Sequence, residues 1–543
     1  MDQNWANLWE AVADALPDRP AVIQGERVLR WAELDDHASR LAAGLSALGL
    51  GQGSKVAILA HNCPEYLEAV FAAYKLRGSP VNLNYRYRED ELVEVLGDSD
   101  AEVLILQGAF AELATGARRR LPQLRALLQV DDGAPICDGA VAYEEVLAGS
   151  PPMPRIERSG DDVFLLYTGG TTGHPRGVMW RHRDIIATLA AVIYPQAGLE
   201  PPRDAAEVAR RAAELVAGGS APVFVPASPL MHGTALYLGQ GLWLLGGTSV
   251  LLEGRGFDAH EFWRTVERRR VTSAAIVGDV FARRMVAAID EARDSGRPYD
   301  VSSLRTIVSS GAAWTAPVKQ ALVDRGTMAL ADQVGASEGG PTMAHLIPPG
   351  ARVADCRWTL TPQARLLRED GTIIDPSTGE IGLLGFSTPR PLGYHRDPAK
   401  SAALLRTASD GQTYCVPGDY AMVGPDGDAV LLGRGSLCIN TGGEKVYVEE
   451  VEGAILVHPA VVDANVVGLP DEEWGSAIVA VVALHPGAEC TEADVQESVR
   501  TLLAGYKVPR RVVFVDEIRR SPSGKARYAW AREVAARAAA AHH

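Results

Sequence analysis

The chain has 543 residues, 47% of them hydrophobic and 22% charged, and its 53 basic and 68 acidic side chains give a formal net charge of −15. That length exceeds one core and implies a large multi-layer domain plus a smaller one, while the acidic balance repels nucleic acid and anionic membrane in bulk, so an anionic ligand must be held locally. The six cysteines lack C-x-x-C or Cys/His ligand spacing, which argues for a reducing compartment and against structural zinc.

The N-terminal stretch "MDQNWANLWEAVADALPDRP" carries acids in an amphipathic helical pattern rather than a signal peptide, so a cytoplasmic protein is expected. Helix and strand patterns then alternate: "ASRLAAGLSALGL" before "KVAILA", "YLEAVFAAYKLRG" before "PVNLN", "DELVEVLGDSD" before "EVLILQ". Helices separating short apolar strands predict parallel sheet with crossover helices. "DDVFLLYT" (161–168) and "GVMW" (177–180) read as two strands joined by a loop rich in glycine and threonine. Such a loop lets backbone N–H groups approach an oxyanion, although it is not a Walker A loop and an ordinary turn is the plain alternative.

Residues 203–219, "RDAAEVARRAAELVAGG", read as a surface helix without assigned chemistry. Leu215 to Leu252 contains no Asp, Glu, Lys or Arg, yet its prolines and glycines divide it into strand, buried helix ("TALYLGQGLWLL") and strand, so no transmembrane segment is expected. The alternation continues through "AHEFWRTVERRRV", "TSAAIVG", "PVKQALVDRG" and "MALADQVG"; after about residue 350, short strands with turn signals predict antiparallel hairpins. A compact α+β segment follows from about Cys438. The expected fold is α/β: a large N-terminal domain (1–434) of parallel sheets, crossover helices and antiparallel hairpins, and a small mobile α+β domain (435–543), with a hinge at about 434–436.

Five polar segments stand out. Glu338 in "DQVGASEGG" is either a solvated turn acid or, beside a triphosphate, a Mg²⁺ ligand. Asp419 in "YCVPGDY" is either an Asx-turn residue or a carboxylate for ribose hydroxyls. Arg434 precedes a Gly-Gly-Glu-Lys turn, Lys525 lies in "SPSGKARY", and His232 follows "SPLM".

In their order, "YTGGTTGHPRG", "SSGAAW", "VGASE", "PGD", "GR…GGEKV" and "PSGK" resemble the signature motifs of the adenylate-forming superfamily, which includes acyl-CoA synthetases, luciferases and peptide-synthetase adenylation domains. "LRWAELDDHASRLAAGL", "NLNYRY", "VMWRH", "PLMHG", "AGYKVPR" and "SPSGKARYAWA" look most similar to actinobacterial fatty-acid and steroid acyl-CoA ligases. The resemblance implies ATP-dependent conversion of a carboxylic acid to an acyl adenylate, followed by displacement of AMP by the thiol of coenzyme A. It assigns Thr168, Gly169, Gly170, Thr171, Thr172 and Gly173 to the β and γ phosphates, with Arg176 where the family usually has lysine. Glu338 would hold Mg²⁺, Ser337 would touch the α-phosphate, and Asp332 and Gly335 would join the nucleotide-binding set. Ser310, Gly311, Ala312 and Ala313 would line adenine, Asp419 would bind ribose, and Arg434 would brace ribose or phosphate. Lys525 would bridge the substrate carboxylate and the α-phosphate. His232 falls at the mouth of the acyl pocket, with a structural histidine as the alternative. Gly442, Gly443 and Glu444 would line the thiol tunnel once the small domain swings about Ser436.

Three positions depart from the family pattern: Ser436 at the hinge, Val334 where an adenine-packing tyrosine is frequent, and Trp314 where a small residue or proline is commoner. The apolar run Thr234 to Leu245 and the glycine at 233 favour a hydrophobic or aromatic acid over an amino acid. Asp279 either lies near that pocket or caps the following helix. The leading expectation is a CoA ligase acting on such an acid, possible as a homodimer. The alternatives are an ATP-dependent diazotase that activates nitrite, an adenylating enzyme loading a carrier protein, and a non-enzymatic nucleotide sensor, against which the joint presence of Glu338, Asp419 and Lys525 argues.

Overall fold

The computed structural model describes residues 3–169, 175–311, 314, 316–353, 358–387, 389–434, 438–519 and 528–540, without the side chains of 432–434, 438, 447, 449 and 529. Two sheets dominate the N-terminal part. In the larger, six parallel strands run in the order Ala329–Gly335, Thr306–Ser310, Ser273–Ile276, Val223–Pro226, Thr248–Leu251, Pro20–Gln24. Antiparallel strands close it at both edges, Pro341–Ile347 and Thr359–Leu360 at one and Arg27–Arg30 at the other. The second sheet is wholly parallel, in the order Ser79–Asn82, Lys55–Leu59, Val103–Gln107, Ala126–Val130, Ala140–Ala142. The expected crossover helices cover these strands, which explains their near-continuous apolar character.

A core of large aromatic side chains fixes the two layers. Trp9 meets Trp243 edge-on at 4.9 Å and Trp31 meets the same ring at 5.1 Å. The indole N–H of Trp243 donates to Ser249 Oγ at 3.0 Å. Trp243 ends the helix Gly233–Trp243, so this cluster anchors one end of the helix whose other end begins at His232.

The segment 215–252 folds as read: strand, helix, strand. No helix among the described residues is long and apolar enough to cross a membrane. The helix expected within 203–219 is present at the surface. It runs Ala205–Ala217, packs on Trp5–Ala15, and buries Val208 and Ala212 completely. Arg210 and Glu214 face outward, whereas Glu207 and Arg211 pair at 2.6 Å with side chains only 11% and 12% exposed, beside the Val208 and Ala212 that join the core.

Antiparallel strands after residue 350 form a sheet in the order Leu405–Thr407, Thr413–Cys415, Ile381–Phe386, Asp419–Val423, Ala429–Arg434, with Ala364–Leu367 paired to Ile381–Phe386. The C-terminal domain centres on Val461–Asp471, Gly475–Leu484 and Arg511–Val515. Alternation along the strands buries both faces. Val466, Ala480 and Val482 pack beneath the hairpin Cys438–Thr441/Glu444–Tyr447 and the helices Val448–Leu456 and Glu492–Leu502. Val467, Val479 and Val481 pack beneath the helix Tyr528–Ala540.

Candidate active site

The glycine-threonine segment is framed by a hairpin. Strand Val163–Gly169 pairs antiparallel with Pro175–Arg181, setting Thr168 opposite Arg176 and Gly169 opposite Pro175. Gly170, Thr171, Thr172 and Gly173 lie outside the described residues. The hairpin is pinned by Asn82, a buried amide that accepts from the Tyr167 N–H at 2.7 Å and donates to the carbonyls of Tyr167 and Met231 at 2.8 and 2.6 Å. Asn82 therefore ties the first strand of this hairpin to the segment that carries His232. Nothing in its own sequence neighbourhood besides "NLNYRY" signalled that task.

Glu338 is 7% exposed, and its Oε1 accepts from the Tyr394 hydroxyl at 2.7 Å. The Glu338 backbone carbonyl accepts from Cys415 Sγ at 3.0 Å, and the carbonyl of Ser337 accepts from the Trp180 indole at 2.9 Å. The Arg176 guanidinium stands 5.5 Å from the centre of the Tyr394 ring. Burial, and then the adjoining carboxylate, push the Tyr394 phenol far above its ordinary pKa, so it stays a proton donor to Glu338. One oxygen donor of this kind, with phosphate oxygens completing the shell, suits Mg²⁺. Among the described residues no group of three His, Cys, Asp or Glu side chains forms a protein-only metal cage.

A cavity of about 240 Å³ opens beside these groups. Thr168, Ser310, Gly311, Gly335 and Ser337 line its polar end, Ile185, Leu189, Val192, Ile193, Tyr237 and Leu238 its apolar walls, and Tyr87, Glu450, Tyr506 and Lys507 are among the residues that complete it. Its apolar walls come from two helices, His182–Gln196 and Gly233–Trp243. Ala312 and Ala313 lie outside the described residues.

Asp332 stands apart from this lining. It is 3% exposed and receives the Lys319 ammonium at 2.6 Å, and Lys319 in turn lies 5.7 Å from the ring centres of both Trp314 and Trp358. Burial raises the Asp332 pKa, with Lys319 opposing. The structure thus places Asp332 behind the strand, and it gives Trp314 a reason to be large: it covers a buried ion pair. Asp279 lies in the first turn of Gly278–Asp294, where Val277 is the N-cap, pairs with Arg283 at 3.1 Å, and is not among the residues lining the cavity. Asp419 begins a strand just after Gly418, whose φ is 100°, and sits opposite Arg434 in register.

A second cavity of about 620 Å³ adjoins the first. Arg86, Arg255, Arg284 and Arg510 line it, with Trp474 beneath the Arg510 guanidinium at 4.1 Å. His232, Val277, Gly443 and Glu444 line both cavities. Glu444 is 5% exposed; its carboxylate takes the Arg86 guanidinium at 2.8 Å and lies 3.3 Å from His232 Nε2. Burial alone would raise the Glu444 pKa, but His232, Arg86 and Lys507 together hold it below the usual value. Gly443, at φ 83°, passes so near Val277 that a Cβ would sit 2.9 Å from it. Gly442, Gly443 and Glu444 are therefore brought to the site. Lys525 and Ser436 lie outside the described residues, as does the Arg434 side chain.

The AMP-binding enzyme family profile matches residues 9–385, and that of the AMP-binding enzyme C-terminal domain matches residues 450–525. The chain is 39% identical over 542 residues to a 3-oxocholest-4-en-26-oate–CoA ligase of Rhodococcus rhodochrous, covering 98% of this chain and 96% of that one. It is 41% identical over 545 residues to the medium-chain acyl-CoA ligase Mig of Mycobacterium avium, covering 97% of each. Among solved structures, the amide bond synthetase McbA of Marinactinospora thermotolerans superposes with a TM-score of 0.77 at 23% identity, covering 98% of this chain and 99% of that one. With both profiles matching and relatives aligned over nearly the whole chain, the chain belongs to the AMP-binding enzyme family of adenylate-forming ligases.

Proposed function

We propose that this enzyme activates a hydrophobic or aromatic carboxylic acid with ATP and transfers the acyl group to coenzyme A. One observation carries the reading: an apolar cavity beside the phosphate-loop hairpin meets an arginine-lined cavity at Gly443 and Glu444. A bound acid would direct its chain between the two apolar helices and its carboxylate toward Thr168 and Ser337. ATP would lie across the polar end, its phosphates at 168–173 with Arg176, its adenine along 310–313, and its ribose at Asp419 with Arg434. Glu338, oriented by Tyr394, would hold Mg²⁺, which when bound offsets phosphate charge. Lys525 would stabilise the charge developing at the α-phosphate as the carboxylate attacks and pyrophosphate leaves.

For the second step the phosphates of coenzyme A would rest among Arg86, Arg255, Arg284 and Arg510. Its thiol would pass the glycines at 442 and 443, whose missing side chains leave room for a narrow chain. Helix Tyr528–Ala540, which Lys525 precedes by three residues in sequence, packs on the sheet face opposite the 438–447 hairpin. One face serves each half-reaction, so the small domain (435–543) would turn about a hinge at 434–436 on the large one (1–434).

The two relatives named above act on a sterol-derived acid and on medium-chain acids. The walls of Ile185, Leu189, Val192, Ile193, Tyr237 and Leu238 suit the apolar body of either kind of acid. ATP–pyrophosphate exchange across a panel of acids, followed by addition of coenzyme A, tests the proposal. Exchange that vanishes in Lys525→Ala, with a thioester as product, is the expected result. Consumption of nitrite and an arylamine without dependence on coenzyme A would instead select a diazotase, and acylation of a carrier protein alone a loading enzyme.

A further inference from the structure

The motif "AGYKVPR" contributes a lysine that none of the chemistry above uses. Lys507 ends the short turn Gly505–Lys507 and is 5% exposed. Its ammonium lies 2.6 Å from Glu450 Oε1 and 2.6 Å from Glu91 Oε1. Glu450 belongs to the helix Val448–Leu456, inside the C-terminal profile like Lys507 itself. Glu91 belongs to the helix Glu89–Asp98, within the N-terminal profile and 416 residues from Lys507 in sequence. The two acids are therefore not equivalent. If the C-terminal domain turns, Glu450 travels with the lysine, whereas Glu91 stays behind.

The Glu91 contact coexists with Arg86–Glu444 and His232–Glu444, the two other charged contacts that seat the 438–447 hairpin against both cavities. We propose that the Glu91–Lys507 ion pair is a positioning contact that selects the thioester-forming orientation of the small domain. This rests on the coenzyme A reading. The charge count suits a contact that must release in every turnover. Glu450 already neutralises the ammonium, so Glu91 adds an attraction partly cancelled by repulsion between the carboxylates, and the closed state is favoured without being locked. Once open, Glu91 returns to water, while Lys507 and Glu450 keep each other.

Glu91→Gln is the decisive variant. Glu91 Oε2 accepts the Arg88 N–H at 3.0 Å, a cap that glutamine can also make, so the substitution removes charge and leaves the helix start intact. Acyl adenylate is formed first, and its consumption on adding coenzyme A is followed in a single turnover beside ATP–pyrophosphate exchange. Glu91→Gln and Lys507→Met should slow adenylate consumption about tenfold or more while exchange stays within about twofold, and the double variant should be no worse than Lys507→Met alone. Lys507→Arg should restore most of the rate. Equal loss in both half-reactions, or no loss in either, for a Glu91→Gln protein with unchanged melting temperature overturns the proposal. Should Lys507→Met fail to fold, Glu91→Gln decides alone. Wild-type enzyme that makes no thioester would overturn the parent reading; wild-type enzyme that makes it, beside an unaffected Glu91→Gln, would overturn only the positioning contact.

Discussion

The two cavities share a wall and little else. The smaller takes its apolar walls from the helices His182–Gln196 and Gly233–Trp243, the second anchored by the Trp9, Trp31 and Trp243 cluster, while Lys445, Glu450, Tyr506 and Lys507 of the C-terminal domain line its other end. The larger is assembled at a joint: Arg86, Arg255 and Arg284 come from the N-terminal part, Trp474 and Arg510 from the C-terminal domain. On the proposed reading, the difference gives choice of acid to apolar helices packed on the core and capture of the acceptor to arginines gathered where the two parts of the chain meet. Substitutions on the two sides should consequently separate the half-reactions.

The largest effect should come from the group serving the first step. Glu338→Ala removes the proposed Mg²⁺ carboxylate and should lower ATP–pyrophosphate exchange about 10²- to 10³-fold, taking thioester formation down with it, as measured by exchange and product assays on the same preparation. If exchange survives while thioester is lost, the polar end of the smaller cavity has been assigned to the wrong step. Next comes the shared wall. Gly443→Ala forces a side chain into φ 83° and against Val277 at 2.9 Å. About 1–2 kcal/mol of backbone cost plus that clash should slow the coenzyme A step about ten- to a hundredfold and spare exchange. Rapid-quench measurement of adenylate decay distinguishes this from a general loss.

On the acceptor side alone, Arg510→Ala should raise KM for coenzyme A about five- to tenfold, the size of one charge-assisted contact at an exposed position, and leave KM for the acid unchanged. The penalty should shrink as salt rises, because the exposed guanidinium is screened. A change in KM for the acid instead would show that the cavities are coupled through more than their common wall.

How far the sequence revealed this site depends on whether a residue's role is local. The hairpin around 163–181, the helix 233–243 and the turn Gly442–Gly443 were legible because glycine content and apolar spacing are carried by neighbouring residues. Asn82, Tyr394 and Lys507 were not, because their meaning lies in partners 85, 56 and 416 residues away, and such pairing leaves no periodic trace. Asp332 shows the converse. Its motif suggested a nucleotide contact, whereas its side chain faces Lys319 beneath two indoles, an arrangement set by which way the strand turns that residue. The helix 205–217 lies at the surface as its charges indicate, and only Val208 and Ala212, too few to mark a face in the sequence, tie it to the core.

The smallest effect on the separation of the cavities, and a test of their shared scaffold, concerns acid. His182 starts the helix that lines the smaller cavity, is fully buried, and accepts the Trp5 N–H through Nδ1 at 3.3 Å. Burial pushes its pKa down to about 3. The unfolded chain takes up this proton near pH 6.5 whereas the folded chain refuses it until about pH 3, so stability present above pH 6.5 falls as the pH drops between those values, by about 1.4 kcal/mol per unit. Urea titrations followed by tryptophan fluorescence at pH 7 and pH 5 should show that loss, and His182→Gln should flatten the slope even if it lowers stability at pH 7. Because unfolding removes both cavities at once, the two half-reactions should decline together on acidification as the folded fraction falls. A coenzyme A step that failed first, in protein still fully folded, would show that the joint rather than the core sets the acid limit of the enzyme.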